Sequence, residues 1–161
     1  MERGIFATCS NDKFIKIWNS QNNDNLASIN IGVPVNSLCY GVLDQKPFLL
    51  AGTFHGGVAL IDKENKKVLQ IAEKKHCTYV SSVCFLSSLG NKFACSISAD
   101  KIAVWRVDCD SLEEWTTVPL DFTQQGDYKW WEVVEVKSQV QSANEAVVAC
   151  CSSKDNQTRA Y

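Results

Sequence analysis

The chain lacks most of the features that announce chemistry or location. It holds 2 His in 161 residues, too few for an imidazole cluster around a metal. No pair of cysteines is spaced as CxxC. Basic residues do not exceed acidic ones: 16 Lys and Arg stand against 18 Asp and Glu. That balance argues against direct contact with DNA or RNA, which demands a basic face. No apolar run approaches the roughly 20 residues of a membrane span. The opening residues, MERGIFATCS, carry no apolar stretch of signal-peptide length. With 3 Pro and 8 Gly, the composition is not that of a disordered linker. No segment keeps a helical period.

What is present is short alternating runs. A hydrophobic content of 45% in 161 residues is enough for one domain with a core. The stretch from His76 to Trp105 reads HCTYVSSVCFLSSLGNKFACSISADKIAVW. Val80, Val83 and Phe85 form one run, and Phe93, Cys95 and Ile97 a second. The turn residues Ser98-Ala99-Asp100 follow, and then a third run through Ile102, Val104 and Trp105. Period-2 alternation broken by Gly, Asn, Ser and Asp predicts antiparallel strands joined by tight turns. Strands are predicted at 79–86, 92–98 and 101–107. The run PFLLAGT at 47–53 is apolar throughout, as in a strand covered on both sides. Eight Cys form an even count that would allow a disulfide framework. Most sit inside the alternating runs, however, where reduced thiols act as small hydrophobes. An intracellular compartment, cytoplasm or nucleus, is therefore expected.

The pattern repeats. The turn positions Asp12, His55, Asp100 and Asp155 are 43, 45 and 55 residues apart, and the run ends Trp18, Ile61, Trp105 and Tyr161 are 43, 44 and 56 apart. A period near 43–45 matches propeller blades of about 40–45 residues. Approximate repeats fall at 1–30, 31–74, 75–120 and 121–161. The long last step predicts an insertion loop near 108–129, where the composition turns polar; one strand is expected within that region, at 115–120.

On the segments SNDKFIKIW (10–18) and SADKIAVW (98–105), with weaker copies TFHGGVALID (53–62) and SKDNQTRAY (153–161), the chain resembles the WD-repeat β-propeller family. The resemblance implies an all-β fold: a partial propeller of four-stranded antiparallel blades in an incomplete ring, part of a longer protein. It also implies a buried structural tetrad. By position this comprises His76, Ser96 or Ser98, Asp100 and Trp105, with Asp12, Trp18, Asp155 and Tyr161 as turn and strand equivalents in other copies. The second copy has Ile31, His55 and Ile61 at the His, Asp and Trp positions and so no tetrad. The third copy is one residue short between turn and Trp, which predicts a tightened turn. Three strands at one end and three at the other make six, so two copies of the chain are not expected to close a ring.

Each residue tempting as chemistry has a structural reading. His76-Cys77 could be a nucleophile pair or a metal site. As tetrad histidine and incidental thiol, the two need neither. Cys150-Cys151 could be redox-active, yet adjacent strand residues point to opposite faces. Asp12, Asp100 and Asp155 recur at one place in the repeat, as turn acids do. Asn156-Gln157-Thr158 matches a glycosylation acceptor but overlaps a turn and strand. No catalytic, cofactor or metal residue is assigned. The candidate protein-binding rim comprises Asn11, Phe54, Ala99 and Lys154, which precede the turn acids. Trp130, beside Trp131, is added as an aromatic anchor. The expected function is a non-catalytic protein-interaction scaffold with proteins or peptides as partners. Alternatives are a propeller in an RNA-processing or ribosome-assembly complex, or the non-catalytic part of a multidomain enzyme.

Overall fold

A computed structural model describes residues 4–120, 131–136, 147–152 and 158–160. They form four antiparallel sheets in chain order. The first comprises β1 (Ile5–Cys9), β2 (Phe14–Asn19) and β3 (Asn25–Asn30). The second comprises β4 (Val35–Leu43), β5 (Lys46–Thr53), β6 (Val58–Asp62) and β7 (Lys67–Ala72). The third comprises β8 (Ser82–Phe85), β9 (Phe93–Ile97), β10 (Lys101–Val107) and β11 (Leu112–Pro119). The fourth comprises β12 (Trp131–Val136), β13 (Val147–Ser152) and β14 (Thr158–Ala160). Each sheet is a meander in which consecutive strands are neighbours. Among the described residues the only helix is a single 3-10 turn, Ser87–Leu89. The sheets do not close into a barrel.

Side-chain alternation decides what lies between the sheets. On β5 and β6, Leu49, Ala51, Ala59 and Ile61 join Ile15, Ile17 and Ile29 of the first sheet in one core. Their neighbours Phe48, Leu50, Val58 and Leu60 point the other way, into a core with Val83, Phe85 and Trp105 of the third sheet. The apolar run at 47–53 is therefore a strand buried on both faces, which removes the usual reason for alternation. The far face of the third sheet carries Cys84, Leu86, Cys95, Ile97 and Ile102. Strand β12 of the fourth sheet lies beside β8 and β9.

The repeat extends to an irregularity that composition does not reveal. The pairing slips by one residue at Ile17/Trp18, at Leu60/Ile61 and at Val104/Trp105. A bulge therefore sits at the same run-ending position in three sheets, adding local twist where the run-ending strand meets the next one. Loop lengths also follow the sequence. Four residues separate β1 from β2 and β5 from β6, while three separate β9 from β10, in keeping with the shortened third copy.

Two expectations need correction. The polar insertion does not begin at 108. Residues 112–119 pair with β10 along its whole length, starting at Val107↔Leu112. Leu112 anchors the start of this strand, for its side chain is buried, while Gln70 of the second sheet accepts a hydrogen bond from its N–H and donates one to its carbonyl. A polar stretch can be an edge strand because only one of its faces is covered. Strand β8, in turn, begins at Ser82, because residues 77–81 serve as a connector tied to the second sheet. Within that connector Val80 N–H donates to the Thr53 carbonyl at 3.0 Å.

Candidate functional site

Strands β9 and β10 place Ala94 opposite Trp105, so Ser96 lies two residues further along on the same face. From there its hydroxyl reaches two partners. Trp105 Nε1–H donates to Ser96 Oγ at 2.8 Å, and Ser96 Oγ lies 2.7 Å from His76 Nε2. His76 Nδ1 lies 3.2 Å from Asp100 Oδ1. The other Asp100 oxygen accepts the Cys77 N–H at 3.3 Å. Trp105 and Ser96 have no exposure, and neither does the His76 side chain; Asp100 keeps 27%. Burial depresses the His76 pKa below the ordinary imidazole value, although Asp100 pulls it upward. A neutral ring fixes the proton order. Nδ1–H donates to Asp100, Nε2 accepts from Ser96, and Ser96 accepts from Trp105. Both His76 ring nitrogens, the Ser96 hydroxyl and the Trp105 N–H are thereby satisfied, as burial demands.

The alternative position, Ser98, lies outside this chain of bonds. Its hydroxyl donates to the Tyr79 carbonyl at 2.9 Å and shares a 2.6 Å contact with Thr78 Oγ1. Ser96, His76 and Asp100 stand in the order of a serine nucleophile with its base and orienting acid. Their burial removes that chemistry. Ser96 is sealed from solvent, and its oxygen already takes the indole N–H, so no substrate carbonyl can approach. Cys77 is no better placed: partial burial, then the Asp100 charge, raises its pKa and disfavours the thiolate. Among the described residues no group of three or more His, Cys, Asp or Glu could hold a metal ion. Among them, too, no helix is long and apolar enough to cross a membrane.

A neighbouring turn locks the histidine's backbone. Gly56, in the turn between β5 and β6, accepts hydrogen bonds from the N–H groups of Lys75 and His76, both at 3.0 Å. It has a φ of +78°, and a Cβ there would stand 2.2 Å from the His76 carbonyl. Only glycine fits both conditions.

The first sheet repeats half of the arrangement. Phe6 pairs with Trp18, and Thr8, two residues on, accepts the Trp18 Nε1–H at 2.9 Å. Trp18 is half-buried and stacks on the exposed Phe6, with centroids 6.4 Å apart. Asp12 is exposed; it accepts the Phe14 N–H and binds Lys16 Nζ at 2.9 Å. Those bonds, the lysine's foremost, hold its carboxyl below the usual range. In the second sheet Ala51 and Ile61 occupy the hydroxyl and indole places, both fully buried. Thr8 was absent from the expectations, yet spacing could have found it. It precedes Trp18 by ten residues, as Ser96 precedes Trp105 by nine across a turn one residue shorter.

Of the rim residues, Asn11 and Ala99 are exposed at their turns. Phe54 is 47% exposed and stacks on Tyr79 at 5.8 Å, with His55 edge-on at 6.3 Å. The same turn borders a cavity of about 190 Å³, whose lining includes Val33, Thr53, His55, Ile71, Glu73 and Lys74. Trp130, Lys154, Asp155 and Tyr161 lie outside the described residues. Compared with known families and with curated proteins, the chain matches no family model and no curated protein.

Proposed function

We propose that this chain is part of a WD-repeat β-propeller that serves as a non-catalytic protein-interaction scaffold inside the cell. The observation that carries the reading is the recurrence of one device. Each of the first three sheets bulges at its run-ending residue, and the third joins Trp105, Ser96, His76 and Asp100 through buried hydrogen bonds. Such a device holds sheets together and leaves the turns free. Partners would be proteins or peptides meeting the rim at the Phe54 turn. There a stacked aromatic pair offers rigid apolar surface at low entropic cost. Among the described residues, the Ser96, His76 and Asp100 arrangement that resembles catalytic machinery is closed to solvent, which favours binding over chemistry.

The test is Phe54→Asp in the full-length protein. Its melting temperature should stay close to wild type, because the ring is half exposed, while recovery of at least one co-purifying partner falls. Unchanged recovery of every partner would remove the Phe54 turn as the contact surface.

A further inference from the structure

The first three sheets match one another strand by strand. Phe6, Leu49 and Ala94 each pair with the run-ending residue of the next strand: Trp18, Ile61 and Trp105. Strands β1, β5 and β9 are therefore equivalent. In the second and third sheets a further strand, β4 or β8, pairs antiparallel to them. Among the described residues β1 pairs only with β2. Burial follows this difference. Ile5 and Ala7 of β1 are half-buried, whereas their equivalents Phe48 and Leu50 are buried. Leu38 and Tyr40 of β4 pack against the same core as Ile5 and Ala7 and are half-buried too. At the equivalent places of β8, Val83 and Phe85 are each only 5% exposed. Strand β4 covers Phe85 so closely that a Cβ on Gly41 would stand 2.5 Å from the ring. The place that would cover Tyr40 in the same way lies on the free edge of β1. That edge is unguarded. The sequence IFATC holds no charge and no proline, and it pairs with β2 without a slip. The edges at the other end of the sheets carry Lys67 in β7 and Glu113, Glu114 and Pro119 in β11, and bulges break their pairing.

We infer that the free edge of β1 receives a strand from a partner polypeptide, and that this strand carries a Ser–aliphatic–small–aromatic sequence running antiparallel to β1. The sequence follows from the strands that hold the same place in the next two sheets. Residues 37–41 read SLCYG and residues 82–86 read SVCFL. In both, the aromatic residue stands opposite the equivalent of Phe6 and the aliphatic one opposite the equivalent of Thr8. The small residue between them stands opposite the equivalent of Ala7. On the added strand it faces the second sheet, as does the residue after the aromatic. That last residue is Gly, because it meets Tyr40 as Gly41 meets the Phe85 ring. Backbone bonds to β1 supply affinity, and the alternating side chains select the partner. A second copy of the chain cannot be the donor, since both of its strands with this sequence are already paired. The surface is distinct from the Phe54 turn, so the two readings stand or fall separately.

The probe is a synthetic peptide of residues 36–43 with Cys39→Ala and a short C-terminal lysine tail for solubility. Amide hydrogen exchange of the whole isotope-labelled chain is followed by NMR with and without the peptide. The alternate β1 amides that are not bonded to β2 should exchange freely in the chain alone and slow at least about tenfold with the peptide. Exchange along β3 and β11 should not change. A scrambled peptide should slow nothing, and Gly41→Val in the peptide should weaken binding at least about fivefold through its clash with Tyr40. Equal slowing by the scrambled peptide, or equal affinity of the Gly41→Val peptide, would overturn the proposal. So would unchanged β1 exchange at about 1 mM peptide, a concentration that detects even weak binding. Faster exchange along β5, which would mean that the peptide displaces β4, would overturn it as well. So would β1 protection that grows with the concentration of the chain alone, which would make a second copy the occupant.

Discussion

Replacing Ser96 by Ala tests the central physical claim, that one hydroxyl holds two buried ring nitrogens. The change removes a single oxygen from a site with no exposure and leaves almost no cavity. Its cost is therefore polar. Trp105 Nε1–H loses its acceptor at 2.8 Å and stays buried, at about 1–3 kcal/mol for an unsatisfied donor. His76 Nε2 loses its donor at 2.7 Å, at about 0.5–1.5 kcal/mol more. The sum is roughly 1.5–4.5 kcal/mol, or a melting temperature lower by roughly 3–18 °C for a domain of this size. Thr8→Ala is the matched control. It deletes the same kind of bond at the same register, 2.9 Å to Trp18 Nε1. Trp18 is only half-buried, so water can replace the lost acceptor and the cost should stay under about 1 kcal/mol. Urea melts of wild type and both variants give the two differences. Equal destabilisation would refute the argument, because burial would then not be what makes the Ser96 bonds matter.

Other outcomes follow from the same geometry. The depressed His76 pKa means that the unfolded chain takes up its proton first as pH falls. Its contribution to stability is whole above about pH 6.5 and is lost as pH drops through that value toward the lower folded one, at no more than about 1.4 kcal/mol per pH unit. Urea melts between pH 7.5 and 5.5 should show a steeper loss for wild type than for His76→Gln; parallel curves would refute it. Gly56→Ala should cost at least about 2 kcal/mol, since it combines a clash with the His76 carbonyl and a positive φ; a melting temperature within 2 °C of wild type would count against the locked turn. Asp100→Ala should destabilise the fold by about 1–3 kcal/mol, whereas Ala99→Lys on the exposed neighbouring position should stay within about 0.5 kcal/mol. Thermal melts that place the two together would remove Asp100 from the bonded chain.

Much of the fold was legible because strands alternate and turns punctuate. Phe93, Cys95 and Ile97 had to share a face, and 47–53 had to be covered twice. The return of Trp18, Ile61 and Trp105 every 43 or 44 residues is a property of the chain alone. The start of β11 was not legible. Residues 108–114 read as a polar loop, because one face of an edge strand is wet and its anchor, the Gln70 side chain, lies 42 residues away. The two-residue form of the turn at Asp44-Gln45 was not legible either. Both residues adopt positive φ without being Gly or Asn, so no turn signature marks them.

The sequence by itself determined the strand inventory, the repeat and the residue types at its recurring positions, because each depends on local period and spacing. Tertiary structure decided which residues touch. It chose Ser96 over Ser98, because register and not proximity in sequence sets which hydroxyl faces the indole. It made Trp105 fully buried and Trp18 half-buried, because the second sheet covers one and not the other. It also set Cys84 against Cys95, because a ladder pairs residues eleven apart that the sequence only shows in separate runs.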